Sequence, residues 1–473
     1  MQNTGADKTE LKRVIGLTAA ILLVAGNIIG TGVFKKIVPM AQSGLNEVFI
    51  LGAWIVAGII TMCGAFSVAG LAKLTSVTGG AFEYLRLCFG DLIAFLFGWG
   101  YFTILGSGSI AAVAYIFSQS VNSLVILPDP LQKWKDLAIG SIHPFGDSGI
   151  KILAILIIAL LSWLNYRGIK NAAGLNNAVT SAKILGIVFL IVLGLFFSTS
   201  PTTIDSLTQP IVQEQGLGLL SLFFGIMLSA FWAYDGFVNL GAISGEIINP
   251  RKNIPIAIIS GVGIVLVLYV LANYAYMKTM PLHQLAVIGE NKVAAIVVAE
   301  KILGATGTAL ISSLILLSTF GYINAALMLF ARYYYRMAQE NLFFKNAAKV
   351  HSVYRTPHVA LTYSMVWSCI LVFSGTFDLL TDMVVFGAFA FYTLLAIGLI
   401  KMKRKGALKE KIPGYPVAPV VFTLFIGAFL VSVLIEDPVK NLIGIALILS
   451  GLPFYYYFRR QNRKPIELLE KKS

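Results

Sequence analysis

Three glycines and two polar residues interrupt the first long apolar run of the chain, in Gly26-Asn27-Ile28-Ile29-Gly30-Thr31-Gly32-Val33-Phe34. A helix crossing hydrocarbon must satisfy its own backbone, because no water is there to do so. Each glycine costs such a helix about 1 kcal/mol relative to Ala. The run therefore predicts a helix that opens at mid-membrane, which is tolerated only where the freed groups are buried or line a cavity. Freed N–H groups attract an anion, and freed carbonyls accept from an ammonium. A second interruption is expected in Ser229-Ala230-Phe231-Trp232-Ala233-Tyr234-Asp235-Gly236-Phe237, where an Asp beside a Gly among bulky aromatics is poor mid-helix sequence. Two opened helices side by side offer both poles, and a free α-amino acid carries its two charges about 3 Å apart. From the glycines alone, a small-residue packing face through Gly26 and Gly30 is an equal reading; the second break tips it toward binding.

Other residues carry chemistry with a bland alternative beside each. Lys183 lies about five residues into an apolar segment, where an ionisable group is functional by default or snorkels to the interface. In the functional version its ammonium packs between the first and eighth spans, donates to their polar groups, with Ser318 and Thr319 the candidates on the eighth, and stands where related architectures hold a coupling sodium ion. Asp235 is either the N-cap of the second half of its span or a contact to substrate. Glu246, in Ser244-Gly245-Glu246-Ile247-Ile248-Asn249-Pro250-Arg251, reads as a cytoplasmic gate or a loop ion pair. Trp232 is either core or a lid over the substrate. Lys35 and Lys36 follow the first break and read as snorkelling to the outer interface, with a water-filled vestibule as the alternative.

The elements that must position these residues are membrane spans. The chain has 473 residues, 57% of them hydrophobic and 12% charged, with a mean hydropathy of +0.82. A soluble domain is closer to half apolar and a quarter charged, so this is a polytopic membrane protein. Twelve spans are expected, near 14–40, 46–72, 92–125, 150–166, 178–199, 217–246, 256–278, 305–337, 358–375, 379–401, 417–435 and 440–458. The net charge of +14 follows topology. About 26 of the 36 Lys and Arg fall on one side and about 9 on the other, which places both termini in the cytoplasm. That distribution argues against a nucleic-acid role.

Two five-helix sets are expected, over 14–200 and 217–402, followed by two peripheral spans over 411–459. Cytoplasmic tails cover 1–13 and 460–473. Five is odd, so the second set starts from the opposite face and the sets are inverted. The two interrupted segments are the first of each set, which is the sequence pointer to a transporter site. Four scattered histidines, His143, His283, His351 and His358, make no cluster at a membrane face, so an enzyme is not expected. Cys63, Cys88 and Cys369 form neither a metal-ligand spacing nor a disulfide framework. No cofactor and no metal are called for.

With those residues in hand, the chain resembles the amino acid–polyamine–organocation superfamily, and within it the L-type, cationic/neutral exchanger branch. The match is carried by Gly26 to Phe34, Thr78-Gly79-Gly80-Ala81-Phe82-Glu83-Tyr84, Phe97-Gly98-Trp99, Asn165-Tyr166-Arg167-Gly168-Ile169-Lys170 and Lys183. It continues through Trp232 to Phe237, Glu246-Ile247-Ile248-Asn249-Pro250, Ser318-Thr319-Phe320-Gly321, Ala331-Arg332 and Tyr354-Arg355-Thr356-Pro357.

The resemblance implies an all-α integral membrane fold of the LeuT type: two inverted five-helix repeats plus two peripheral helices. It puts a substrate carboxylate on the span-one backbone at Ile29, Gly30, Thr31 and Gly32. The α-amino group would face carbonyls of Ile28, Phe231, Trp232 and Tyr234, with Trp232 as the aromatic gate. Lys183 matches the lysine associated with sodium-independent transport. Asn27, the Lys35-Lys36 pair and Phe237-Val238 depart from the family pattern and bear on substrate identity. Animal members pair with a glycoprotein through a cysteine after span three. No cysteine lies between Cys88 and Cys369, so no such partner is expected.

The expected function is sodium-independent, alternating-access transport of neutral L-amino acids in the cell membrane, by exchange or proton-linked uptake. Small ones such as Ala, Ser or Thr are candidates. A cationic amino acid or polyamine exchanger is the alternative, with Asp235 as counter-charge, and a non-transporting sensor on the same scaffold is a third class.

Overall fold

A computed structural model of the chain describes residues 13–75, 79–138, 143–167, 172–197, 217–289, 292–354, 356–374 and 377–470. Thr78, Gly168 to Lys170 and Arg355, named above, lie outside these residues, as does the N-terminal tail to residue 12. Among the described residues the structure is helical, apart from one isolated parallel bridge between Ile15 and Ile247.

In chain order the helices are α1 (Leu17–Ile28), α2 (Gly32–Lys35), α3 (Ile37–Gln42), α4 (Glu47–Leu71), α5 (Gly80–Phe89), α6 (Asp91–Gly100) and α7 (Gly106–Asn122). Then come α8 (Ser148–Tyr166), α9 (Ala172–Phe196), α10 (Leu217–Tyr234), α11 (Pro250–Thr279), α12 (Leu282–Ala286), α13 (Ala294–Leu303) and α14 (Ala305–Gln339). The last are α15 (His358–Ser374), α16 (Phe377–Arg404), α17 (Val417–Glu436), α18 (Pro438–Leu449) and α19 (Gly451–Glu470). A π-turn over Tyr101–Leu105 joins α6 to α7, and a 3₁₀ stretch over Phe237–Glu246 comes after α10.

Ten helical stretches among the described residues are long and apolar enough to cross a membrane. The shorter apolar helices α1 and α15 occupy two more of the expected spans. At 1.5 Å per residue, twelve residues of α1 reach about 18 Å, short of the roughly 30 Å of hydrocarbon. The first span is therefore completed by α2 and α3, beyond a gap in the helical ladder.

Both expected breaks are present. α1 ends at Ile28, and Ile29 leaves the helix at φ −71°, ψ 86°. α10 ends at Tyr234, and Gly236 turns the chain with φ +109°, a left-handed conformation that side-chain-bearing residues avoid. A Cβ on Gly236 would also stand 2.7 Å from the Asn27 carbonyl oxygen, so glycine is needed on two counts. Across from it, a Cβ on Gly32 would come within 2.5 Å of the Ala233 Cα. The breaks face each other because only glycine and alanine separate their backbones.

Helix packing fixes this pair in place. α1 lies against α9 and α11, while α10 lies against α4, α17 and α2. Behind the breaks, the buried rings of Trp54, Tyr234 and Tyr269 meet at centroid separations of 5.3–6.0 Å. Tyr234 Oη donates to the Trp54 carbonyl at 3.1 Å, whereas the Trp54 indole N–H is buried with no hydrogen-bond partner among the described residues.

Candidate functional site

The breaks enclose a cavity lined by Asn27, Ile28, Gly30, Thr31 and Gly32 from the first segment and by Trp232 and Asp235 from the second. Val113 of α7 and Tyr322 of α14 complete the wall. Its volume is about 10 Å³, room for about one water. Trp232 Nε1 donates to Thr31 Oγ1 at 3.3 Å across it. The site is thus nearly collapsed, with Asn27, Asp235 and Tyr322 of its wall only partly buried. The glycines divide their work. Gly26 packs directly on the Thr180 side chain, whereas Gly30 has nothing nearer than 3.9 Å and opens on the cavity.

Backbone accounting shows what the cavity can bind. Ile29 N donates to the Ala25 carbonyl at 2.7 Å and Gly30 N to the Ile28 carbonyl at 2.8 Å, so neither N–H is available to a carboxylate. Of the four residues from Ile29 to Gly32 on which a carboxylate is expected, these two thus have their N–H groups engaged within the chain. The N–H groups of Thr31 and Gly32 open a new helix and have no turn before them to accept. Ile28 O accepts from Gly30 N and from Tyr269 Oη at 3.0 Å, which holds the carbonyl at the break. Trp232 O accepts from Asp235 N at 3.3 Å. Phe231 and Tyr234 are fully buried beside it.

Lys183 is buried and donates to the carbonyls of Gly26 at 3.1 Å and Ile29 at 3.0 Å. Those oxygens belong to the last turn of α1, where the helix has ended and no i+4 N–H arrives. The lysine therefore caps a helix C-terminus from the side, with its charge favourably placed against the carbonyl ends. The expected donation to α14 is not what the structure holds: Thr319 Oγ1 bonds back to the Ile315 carbonyl at 2.7 Å. Ser318 Oγ is buried with no hydrogen-bond partner among the described residues. Snorkelling is excluded by the same burial.

Asp235 is not a cap. The residue preceding the 3₁₀ stretch is Gly236, and the Asp235 carboxylate accepts from its N–H rather than from a turn further on. The carboxylate also lines the cavity and accepts from Tyr392 Oη of α16 at 2.7 Å. Glu246 sits at the end of that stretch and pairs with Arg332 of α14 at 2.8 Å, an approach too oblique for a hydrogen bond. Its carbonyl accepts from Val14 N and Ile15 N at 2.9 and 3.0 Å, tying the entry to α1 to the exit from the second break.

Lys35 and Lys36 overturn the snorkelling expectation: they are 3% and 1% exposed. Lys35 Nζ donates to Gln119 Oε1 of α7 at 2.9 Å. Lys36 Nζ donates to Asp378 Oδ1 and Thr381 Oγ1 of α16, both at 2.7 Å. Their partners lie far along the chain, where local sequence gives no sign of them. Val113, Tyr269, Tyr322 and Tyr392 were likewise not singled out in the sequence. Only Tyr322 had a signal there, lying four residues after Ser318 and three after Thr319 on one helix face.

Comparison with known proteins agrees with this arrangement. The model of a family described as "Amino acid permease" matches residues 15–456. Over 461 residues the chain is 29% identical to the serine/threonine exchanger SteT of Bacillus subtilis, covering 96% of this chain and 98% of that protein. It is 29% identical over 471 residues to the large neutral amino acids transporter small subunit 2 of Mus musculus, covering 98% and 84%. It is 26% identical over 462 residues to the b(0,+)-type amino acid transporter 1 of Homo sapiens, covering 97% and 90%. With a matched region that runs through both breaks and nearly the whole bundle, the chain belongs to the amino acid permease family, as a multi-pass membrane transporter and not an enzyme.

Proposed function

We propose that the protein moves neutral L-amino acids across the cell membrane by alternating access, independently of sodium, by exchange or proton-linked uptake. The scaffold in this reading is two inverted five-helix repeats, 14–200 and 217–402, with 411–459 peripheral and both termini cytoplasmic. The observation that carries the reading is the pair of facing breaks, which bring unused N–H groups of Thr31 and Gly32 and the carbonyl of Ile28 onto one small cavity. The substrate carboxylate takes the N–H groups and the Thr31 hydroxyl, displacing the Trp232 indole, which then closes over the substrate. The α-amino group turns to carbonyls at the second break, at Phe231, Trp232 and Tyr234, and to the Ile28 carbonyl, where it replaces one of the two donors held there now, Gly30 N or Tyr269 Oη.

Lys183 supports independence from sodium. Its ammonium sits on the orphaned Gly26 and Ile29 carbonyls, oxygens a cation would otherwise satisfy. Small substrates such as Ala, Ser and Thr suit a cavity of about 10 Å³ that must expand to admit anything, and SteT is named for two of them. A cationic substrate is a second reading with its own observation: the Asp235 carboxylate lies in the wall, with a neutral phenol rather than a cation as its partner. A disulfide-linked partner is not part of the proposal, since no cysteine lies between Cys88 and Cys369.

The test is labelled Ala, Ser or Thr uptake into sodium-free proteoliposomes, with empty or amino-acid-loaded interiors and with or without a proton gradient. Uptake that rises on loading supports exchange, and uptake driven by the gradient into empty vesicles supports proton linkage. Uptake under neither condition, or only with sodium, defeats the proposal.

A further inference from the structure

A second opening, of about 200 Å³, lies where the loop after α14 meets α15 and α19. The rings of Phe343, Phe344, Tyr363 and Phe458 line it, with Lys345 and Asn346 exposed at its rim. We infer that this groove holds an anionic phospholipid of the leaflet facing the cytoplasm in the proposed topology, with its phosphate on Lys345. The aromatic walls are tied to one another across three elements. Phe344 meets Tyr363 at 5.8 Å and Phe458 at 5.4 Å, so the loop, α15 and α19 share one cluster of rings. Phe343 continues the cluster to Phe102 at 5.5 Å and Trp99 at 6.2 Å. The volume has room for a phosphate and its glycerol, while the acyl chains must lie in the bilayer beside it.

Charge at the rim has one sign. Arg459 and Arg460 directly follow Phe458 along α19 and are exposed, as Lys345 is. Among the described residues none of these three cations is in an ion pair. The acid nearest to Lys345 along the chain, Glu340, is held by Arg86 at 2.9 Å and Arg336 at 2.6 Å. Arg463 and Lys464 come next in sequence, so four cations fall within six residues. Basic residues clustered just cytoplasmic of a spanning helix attract anionic headgroups. The surroundings suit a lipid rather than a soluble phosphate. Tyr456 and Tyr457 of α19 are exposed beside the groove, and tyrosine is enriched at the membrane–water interface. Tyr363, Val366, Ile370 and Phe373 recur at intervals of three and four along α15, on one face of the helix. The last three are exposed, so an apolar track leads from the groove along the span, where acyl chains would lie.

The inference does not depend on the cavity at the breaks, and no substrate enters its test, so the two can fail separately. The whole protein, stripped of lipid in neutral detergent, is titrated with phosphatidylglycerol and with phosphatidylcholine of the same chains. Bound lipid is counted by native mass spectrometry on protein recovered as a monodisperse peak. Phosphatidylglycerol is expected to fill one saturable site about tenfold more tightly than phosphatidylcholine. Lys345→Gln should weaken it about fivefold, and the triple variant with Arg459→Gln and Arg460→Gln by more than about tenfold. Lys409→Gln, which removes an exposed cation from the loop between α16 and α17, should leave it unchanged. A photoactivatable phosphatidylglycerol should crosslink to the peptides that hold Phe344 and Tyr457. Equal affinity for the two lipids overturns the inference, and so do crosslinks confined to other peptides. Equal weakening by Lys409→Gln also overturns it, because the attraction is then diffuse. Displacement by an equal concentration of inorganic phosphate overturns it too, since the site is then one for free phosphate.

Discussion

An ammonium inside a membrane protein needs acceptors, and Lys183 finds them in carbonyls that exist only because α1 stops at Ile28. Lys183→Ala leaves those oxygens buried and unpaired, so uptake should fall at least tenfold while the protein still reaches the membrane, as measured in vesicles matched for protein content. Asp235→Asn separates the two substrate readings. It keeps a partner for Tyr392 and should leave neutral uptake within about threefold, whereas a cationic substrate would lose its counter-charge and its transport. Competition by Lys or Arg before and after the substitution measures this. Residues out of keeping with their surroundings were legible in the sequence, as at Lys183 in an apolar segment and Asp235 beside Gly236, but the partners they find, the Gly26 and Ile29 carbonyls and Tyr392, were not. Lys35 and Lys36 were misread because Asp378 and Gln119 are brought to them by the fold alone.

At the scale of elements, the breaks were legible because glycine and aspartate are poor in helix interiors, and both segments part where those residues lie. The path of the chain beyond each break was not legible. That the second continues as a 3₁₀ stretch, and that Ile29 and Gly30 spend their N–H groups on α1, depends on tertiary contacts such as Tyr269 on the Ile28 carbonyl. Gly236→Ala imposes a Cβ on a left-handed residue pressed against Asn27, and should destabilise by more than about 1 kcal/mol, read as a lower apparent Tm in detergent. Glu246→Gln and Arg332→Gln remove the same ion pair from opposite sides. Their effects on uptake should therefore be alike, and the double variant should lose little more than either single one.

Across the whole molecule, contacts join the two sides of one small cavity at two places. Toward one end, backbone bonds join Ile15 to Ile247 and Glu246 pairs with Arg332. Toward the other, Trp232 bonds Thr31 and Lys36 bonds Asp378. In the proposed alternating-access cycle, access changes by releasing one set of contacts while keeping the other. In the function proposed above, recognition depends on main-chain groups that read the two charges every α-amino acid shares. The direct test is counterflow of labelled L-serine into serine-loaded proteoliposomes, challenged with alanine and with its N-acetyl, methyl ester and decarboxylated forms. Alanine alone should compete, because each derivative lacks one of the two charges the breaks are built to hold. Equal inhibition by the ester or by the acetylated form would contradict a backbone clasp on the zwitterion.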